Sequence, residues 1–366
     1  MTDSGTFLKY GKIPAGRTRG PRSAIGFPGA VLLAILFAFH AEAREIVDMA
    51  GRTVRVPDRI TRVYCASPPA TYLLYALDTS LLAGLNYPFT GKHARYLRPE
   101  FNSLPVLGGW FGQGKTPNME SLLAIGPDLM IDWMWKIRER TAVKEKVEAA
   151  ARTMNLPVVY MQSDGLEQYP EAILFMGKLL DREERARALS DYGKEILPRV
   201  GAAVSSIPED RKVTVYYAEG RDGLATECDS SYHAELINLA GGRNIHRCEP
   251  KDLMGMEKIP LEQVILSDPQ VILVKEEAFF DCIFSDSRWQ NISAVRNGRV
   301  HLIPSLPFNW FDRPPSFMRF LGLQWLTRVL YPQRYPVDMA LETRRFYKLF
   351  FDMDLSDGQL KEILGL

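Results

Sequence analysis

The chain has 366 residues, of which 46% are hydrophobic and 24% are charged, and its formal net charge is +1. This composition is typical of globular domains and excludes disordered, collagen-like and coiled-coil chains. The nearly balanced charge gives no sign of a nucleic-acid-binding protein. At ~100–200 residues per domain, the length predicts two domains.

Residues 1–43 have the pattern of a secretory signal peptide. Basic residues precede the uncharged apolar stretch Ile25–Phe39, and Ala41-Glu42-Ala43 then provides a small–x–small cleavage site. The uninterrupted apolar part, Ala30–Phe39, is too short to cross ~30 Å of hydrocarbon as a permanent helix. We therefore predict export and cleavage of this leader, with an uncleaved N-terminal anchor as the alternative.

Short apolar segments alternate with helical patterns through the rest of the chain. The predicted strands are residues 62–66, 129–132, 157–161, 212–217, 271–274 and 299–303. Helical patterns such as Arg138–Met154 and Ser231–Ala240 lie between them. Alternation of this kind predicts an α/β fold with parallel sheets that are covered by helices on both faces.

An internal repeat relates the two halves of the chain. Met119–Ile131 aligns with Leu261–Leu273, and the same offset of 142 residues carries the strand Val158–Met161 onto Val300–Ile303. One offset that preserves a helix and two strands indicates two related α/β lobes. We expect a ligand cleft between these lobes.

The segment between the lobes, residues 166–206, has apolar residues at helical spacing and only Pro198 as a central helix breaker. We predict one long helix here, bent near Pro198, that joins the lobes stiffly. The predicted domain organisation is an N-terminal lobe, a linking helix, a C-terminal lobe and C-terminal helices at residues 44–165, 166–206, 207–335 and 336–366.

Aromatic side chains are concentrated where the predicted strands end. Ligands of open α/β sheets collect beyond the carboxyl ends of the strands, and four of the six tryptophans fall there. Aromatic and cationic side chains together suit a bulky, partly planar or anionic ligand. The alternative for Trp133 and Trp310 is that they cap the core beneath loops. The candidate ligand contacts are Tyr87, Trp110, Trp133, Trp135, Tyr232, Trp310 and Arg313, with Arg138 as a second cation.

The histidines outside the leader are His93, His233, His246 and His301, and none forms a close pair with metal-ligand spacing. His301 lies within an apolar strand pattern and is interpreted as a core residue. His233 begins a helical pattern near the predicted cleft and is the single candidate metal contact. A bare metal ion held by three histidines is therefore disfavoured, and a metal already bound to a chelator fits better.

Signatures of common enzyme classes are absent from the sequence, which has no G-x-S-x-G, no Walker A motif and no G-x-G-x-x-G after a strand. We therefore expect no catalytic residues and no covalently bound cofactor. The four cysteines are too scattered for a zinc site. Because Cys228 and Cys248 flank one helical pattern, a disulfide between them is our hypothesis for an oxidising compartment.

Several blocks of the sequence carry a family resemblance. They are Ile46–Pro57 with Arg59-Ile60 and Arg62-Val63, the paired blocks Asn118–Asp128 and Pro260–Pro269, Leu239–Ile245, and Trp310–Pro332. Through these blocks, residues 44–366 resemble the periplasmic substrate-binding proteins of ABC importers for ferric siderophores, haem and cobalamin.

The resemblance implies a monomer that captures a metal chelate, a ferric siderophore first, in the periplasm and delivers it to an inner-membrane ABC permease dimer. Cobalamin, haem or another metal chelate are alternative ligands. It also implies that Glu120 and Glu262, one in each lobe, dock onto arginines of the permease. The alternative for both is a glutamate favoured by the dipole of a helix N-terminus. A chelatase-like or nitrogenase-like exported α/β enzyme is the alternative class.

Overall fold

The computed structural model describes residues 43–110, 116–134, 141–251 and 255–366. The predicted leader therefore lies outside the described residues except for Ala43, which begins the first strand. Within the described ranges the strands are β1 (Ala43–Val47), β2 (Thr53–Pro57), β3 (Val63–Cys65), β4 (Leu129–Met134), β5 (Val158–Gln162), β6 (Thr214–Ala218), β7 (Ala225–Thr226), β8 (Arg243–Asn244), β9 (Glu257–Lys258), β10 (Val271–Val274) and β11 (Val300–Leu302).

The helices that the structure describes are α1 (Pro68–Asp78), α2 (Gly91–Ala94), α3 (Pro99–Asn102), α4 (Met119–Ile125), α5 (Thr141–Met154), α6 (Tyr169–Leu179), α7 (Glu183–Val204), α8 (Glu235–Leu239), α9 (Leu261–Ser267), α10 (Glu277–Ile283), α11 (Ser293–Arg296), α12 (Met318–Leu330), α13 (Met339–Phe351) and α14 (Asp357–Leu364). Among the described residues, no helix is both long and apolar enough to cross a membrane.

Two parallel sheets form the centres of the two lobes. Strands β3, β4 and β5 lie side by side in the first sheet, and the second has the order β11-β10-β6-β8. Every residue of β4 and of β10 is buried, as expected for strands covered on both faces. All six predicted strands are confirmed, and with them the α/β class.

The internal repeat is confirmed in structural detail. Helices α4 and α9 lead into the central strands β4 and β10, and they end at the equivalent residues Gly126 and Asp268, both with left-handed backbone (φ 60° and 39°). Asp128 and its counterpart Gln270 then accept a backbone hydrogen bond from the neighbouring strand region, Asp128 from Thr61 and Gln270 from Thr214. The two lobes therefore share local geometry as well as strand order.

The prediction of one linking helix over residues 166–206 is wrong. The segment forms two helices, α6 and α7, separated by a turn at Leu180–Arg182 in which Asp181 has a φ of 55°. The helices pack closely because Gly177 in α6 faces Ala186 in α7, where an added Cβ would lie 2.2 Å from the alanine Cβ. Pro198 lies inside α7 without ending it, so α7 alone carries the chain to the second lobe.

The C-terminal helices connect the second lobe back to the first. Phe317, before α12, and Phe350 of α13 stack at 4.8 Å, and Phe350 also contacts Tyr192 of α7 at 5.6 Å. At the far end, Arg95 of the first lobe forms an ion pair with Glu362 of α14 at 2.6 Å. One continuous apolar core therefore includes residues of both sheets and of the C-terminal helices.

The disulfide predicted between Cys228 and Cys248 is confirmed. It joins the segment before α8 to the loop after β8 across 20 residues of chain. Cys65 and Cys282 are free, the first buried and the second exposed. The disulfide thus constrains a loop on the second lobe.

Candidate ligand-binding site

Loops that follow the strands of one lobe contact the other lobe. The backbone N–H of Leu166, beyond β5, donates to Oε1 of Glu235 at the start of α8 over 3.0 Å. Nδ1 of His93 in the first lobe lies 2.9 Å from the carbonyl oxygen of Pro307, beyond β11. Because the carboxyl ends of parallel strands are where ligands bind in α/β sheets, this junction is the candidate site.

Trp133 and Trp310 do not offer a surface to a ligand in this structure. Both residues are fully buried in the shared core. Trp133 stacks on Tyr169 at 5.0 Å, and the Trp310 indole donates to the carbonyl oxygen of Leu306. Both residues lie near the carboxyl ends of strands, as the sequence predicted, but their side chains point into the core. Their assignment as ligand contacts is therefore corrected, and the alternative interpretation, core residues beneath loops, describes them.

Three other aromatic candidates keep exposed surface. Tyr87, Trp110 and Tyr232 are all partly buried, and Tyr87 and Trp110 pack against Phe89 and Tyr64. Burial raises the pKa of the Tyr87 hydroxyl, so this group is protonated at neutral pH. The two remaining candidates, Trp135 and Arg138, lie outside the described residues.

Arg313 is held by two buried glutamates of the second lobe. Its Nε donates to Oε1 of Glu219 over 2.7 Å, and its Nη2 donates to Glu227. Lys275 lies 3.8 Å from the same Glu219 oxygen. The Arg313 side chain retains 16% of its surface, and its Nη1 has no hydrogen-bond partner among the described residues. The geometry therefore leaves one guanidinium nitrogen available for an anionic ligand.

The carboxyls around Arg313 differ in protonation. Burial, followed by the charge of Asp312, raises the pKa of Glu219. Burial also opposes ionisation of Asp312, but its interactions with His233, Arg313 and Tyr217 together outweigh burial and lower its pKa. Like charges so close together cannot both ionise easily, so Glu219 holds the proton and Asp312 stays charged.

His233 faces this buried carboxylate. Its Nδ1 lies 2.8 Å from Oδ2 of Asp312, and the hydroxyl of Tyr217 donates to the other carboxylate oxygen over 2.6 Å. Among the described residues, the one group of side chains arranged to hold a metal ion does not include His233. The contact with Asp312 holds the His233 ring within the second lobe, and its role as a metal contact stays a prediction.

Arg319, which the sequence did not indicate as a ligand contact, is the most unusual group at the junction. Its side chain has no exposed surface, and its Nη2 donates to Glu235, the residue that also accepts from Leu166 of the first lobe. The guanidinium stacks over the ring of Tyr232 with 4.4 Å to the centroid. Nε and Nη1 have no hydrogen-bond partner in the described structure. Two buried donors of a charged group therefore lack an acceptor.

A buried phenol lies beside Arg319. The hydroxyl of Tyr169 is buried close to the backbone of Phe317, and burial and neighbouring Tyr232 raise its pKa. Because the charge of Arg319 also acts on this hydroxyl, the two groups belong to one cluster. The arrangement can bind an anion, since guanidinium and phenol N–H and O–H groups are donors at neutral pH. The sequence signal for Arg319 was a cation flanked by apolar residues in the first turn of α12.

Glu120 and Glu262 occupy equivalent positions on equivalent helices. Each lies in the first turn of its helix, α4 or α9, and each is exposed without an ion pair or hydrogen bond in the described structure. One turn later, Leu123 and Ile265 are 55% and 39% exposed. These two residues are also related by the repeat offset. Each lobe therefore presents a carboxylate and an exposed aliphatic side chain in the same arrangement.

Comparison with known proteins identifies the family. The family model described as "Periplasmic binding protein" matches residues 88–306, more than half of the chain. The chain belongs to the periplasmic binding protein family. The resemblance stated from the sequence is thus confirmed, and membership of this family implies the periplasm as the place of action.

Relatives extend the match over almost the whole binding protein. An ABC transporter solute-binding protein from Sulfurospirillum deleyianum is 38% identical, with a TM-score of 0.82 over 88% of this chain and 99% of that one. Molybdate-binding protein MolA of Haemophilus influenzae is 26% identical over 88% of this chain and 95% of its own length. The haem uptake protein IsdE of Staphylococcus aureus is 21% identical over 63% and 77%.

These relatives are solute-binding proteins rather than enzymes, and binding proteins of this family deliver ligands to the permeases of ABC importers. The names of the relatives cover different ligands, molybdate and haem among them. Family membership therefore gives the transport role of this periplasmic binding protein and leaves its ligand to the chemistry of the site.

Proposed function

We propose that this protein captures an anionic metal species between its two lobes and delivers it to an inner-membrane ABC importer, without catalysing a reaction. The observation that carries the proposal is Arg319, a fully buried guanidinium at the lobe junction with two unpartnered donors. Leaving a buried charged donor without an acceptor costs at least about 1–3 kcal/mol. An anionic ligand would remove this penalty and form charge-assisted hydrogen bonds instead.

The enclosure of Arg319 favours a small ligand. Trp133 and Trp310, which would have packed on a large planar chelate, are part of the core, so the junction offers donors rather than a broad aromatic face. Tetrahedral oxyanions match such a cluster because every oxygen is an acceptor. MolA, which aligns with almost its full length, is named for molybdate binding. We therefore propose an oxyanion of the molybdate class as the ligand.

A ferric siderophore is the second candidate, and it was the first expectation from the sequence. Tyr87, Trp110 and Tyr232 are partly exposed, and Arg313 keeps one unpartnered nitrogen. These groups could contact the outer surface of a bulky anionic chelate. Haem and cobalamin need the same aromatic surface and stay alternatives within this second class. Iron transport would follow only from this candidate.

Calorimetric titration of the mature protein distinguishes the two candidates. Molybdate, tungstate, sulfate, phosphate, a ferric siderophore, haem and cobalamin would each be titrated into ligand-free protein. We expect molybdate or tungstate to bind one to one at micromolar or tighter Kd, about −8 kcal/mol or stronger. Tight binding of the siderophore, haem or cobalamin with no heat from the oxyanions would overturn the oxyanion proposal. It would establish the chelate instead.

Delivery is proposed to use Glu120 and Glu262. The repeat gives each lobe one exposed glutamate with an exposed aliphatic neighbour, Leu123 or Ile265. Two equivalent patches suit a permease built from two equivalent subunits. Carboxylates would give orientation and salt-dependent association, and the aliphatic groups would add apolar contact at each patch. The predicted signal peptide supplies the export that this role requires.

A further inference from the structure

A second cluster of ligating side chains lies on the second lobe, apart from Arg319. Cys228, His246, Cys248 and Glu257 each offer one sulfur, nitrogen or oxygen atom, and these four atoms lie within 4.8 Å of one another. Sequence spacing did not predict the cluster, since its members come from three separate segments around α8, β8 and β9. Only folding brings the two cysteines, the histidine and the glutamate together.

Two members of the cluster have unused buried atoms. His246 is 8% exposed, and its Nε2 has no hydrogen-bond partner in the described structure. Oε1 of Glu257 is likewise buried without a partner, and its Oε2 lies 3.6 Å from His246 Nε2, too far for a hydrogen bond. Nε2 of His246 thus faces the Glu257 carboxylate without a hydrogen bond, and Nζ of exposed Lys251 lies 3.6 Å from the same Oε2. A cation bound by both groups would provide a partner for the imidazole nitrogen and for the unpartnered Oε1.

We propose that Cys228, His246, Cys248 and Glu257 form a binding site for a thiolate-preferring divalent cation of the Zn²⁺ class, which competes with the disulfide for the same two sulfur atoms. Two thiolates, one imidazole and one carboxylate are a ligand set that Zn²⁺ accepts in tetrahedral geometry. The oxidised protein, in which the sulfurs are bonded to each other, would retain only the nitrogen and oxygen ligands. The site is therefore controlled by oxidation state.

The exchange between the two states balances with a dithiol as reductant. Thiolates of the dithiol attack the Cys228–Cys248 bond, the dithiol leaves as its own disulfide, and both protein thiols are released. Zn²⁺ then binds the two sulfurs, which lose two protons to solvent. Cys248 is partly exposed and Cys228 is buried, so attack begins at Cys248.

The surroundings of the cluster support a metal ligand at His246. Nε2 of Gln263 lies 3.4 Å from Nδ1 of His246. Rotation of the Gln263 amide by half a turn exchanges its oxygen and nitrogen, so that the amide oxygen would accept a hydrogen bond from Nδ1–H of His246. This hydrogen bond would orient the imidazole with its Nε2 toward the metal. Glu257 also follows Met256, whose N–H donates to Glu227 over 2.8 Å. Either the disulfide or the metal would thus connect this loop to Cys228.

The test measures Co²⁺ binding by absorbance, because thiolate ligands give Co²⁺ an intense charge-transfer band and tetrahedral geometry strengthens its visible bands. A Cys282→Ser background removes the exposed free thiol. Oxidised protein and protein reduced with a phosphine are compared, and Zn²⁺ is then added to displace Co²⁺. We expect one thiolate-bound Co²⁺ per reduced chain, no such band in oxidised protein, and displacement by Zn²⁺.

Variants assign the site to these residues. Cys228→Ser with Cys248→Ser should abolish the thiolate band, and His246→Ala or Glu257→Gln should weaken Co²⁺ binding by at least tenfold. Glu249→Gln, a change at an exposed carboxylate of the same loop, should bind as the background does. If reduction unfolds the chain, Zn²⁺ should restore its circular dichroism. A reduced protein without the band, or a band that survives loss of both cysteines, would overturn the proposal.

Discussion

Nε of Arg313 donates a hydrogen bond of 2.7 Å to Oε1 of Glu219, a residue without exposed surface. The second oxygen of the same carboxyl, Oε2, is buried without a partner in the described ranges. Glu219 therefore fixes the Arg313 side chain through Nε, while Nη1 of Arg313 stays available for a ligand. Burial and the nearby Asp312 raise the pKa of Glu219, so its proton is part of this arrangement.

Glu219→Gln should make the stability of the protein less sensitive to pH. Because the pKa of Glu219 is higher in the folded than in the unfolded chain, its contribution to stability is complete below its ordinary value near 4.5. That contribution is lost as the pH rises toward the raised value. Urea unfolding at several values between pH 5 and pH 9 measures the effect.

From pH 5 to pH 9 the free energy of unfolding of wild-type protein should fall by at least about 1 kcal/mol more than that of Glu219→Gln, since one unit of pKa difference corresponds to about 1.4 kcal/mol. Glu249→Gln is the control, because Glu249 is exposed on a loop. Parallel pH profiles for wild type and Glu219→Gln would contradict a protonated Glu219.

Trp310→Ala should destabilise the fold, because its indole is fully buried in the core that joins the lobes. Removal of a buried Trp side chain costs about 3–5 kcal/mol. Tyr87→Ala, at a partly exposed ring, should cost less. Chemical unfolding of both variants checks the order. A Trp310→Ala protein of wild-type stability that no longer binds ligand would return Trp310 to the binding site.

Replacement of both Glu120 and Glu262 by alanine should abolish ligand uptake in cells or in liposomes containing the permease, while the calorimetric Kd for ligand stays unchanged. Leu123→Ser with Ile265→Ser should reduce uptake as well, because both residues flank the glutamates and are exposed. Leu341→Ser is the matched control, since Leu341 is 65% exposed on α13. Loss of ligand affinity in the glutamate variant would place these residues in the ligand site.

The strands and the repeat could be predicted from the sequence because buried parallel strands are short, β-rich and bounded by Pro, Gly or Asp. The turn between α6 and α7 could not, because apolar residues recur at helical spacing on both sides of it, and the charged residues 181–185 are equally typical of an exposed helix face. There, Asp181 adopts a left-handed conformation that glycine usually provides. Pro198, the obvious breaker in the sequence, is tolerated inside α7.

The sequence predicted at which edge of the sheets the candidate site lies, but it predicted fewer of the side chains that form the site. Strand ends indicate the edge of a sheet, but the alternation of side chains decides whether Trp133 faces a ligand or the core. Arg319 was missed because its role depends on Glu235 and Tyr232, which come from a distant segment. The disulfide was predicted correctly, but not the approach of His246 and Glu257 to it.

Calorimetric titration of molybdate into Arg319→Lys and wild-type protein tests the central claim most directly. Lysine keeps the positive charge beside Glu235 but lacks the N–H groups on Nε and Nη1 that have no partner in Arg319. Arg328→Lys, on the same helix but partly exposed, is the control. We predict a Kd about 100-fold weaker for Arg319→Lys, about 2.7 kcal/mol, with unchanged binding by the control. Equal molybdate affinity in Arg319→Lys and wild-type protein would contradict this account.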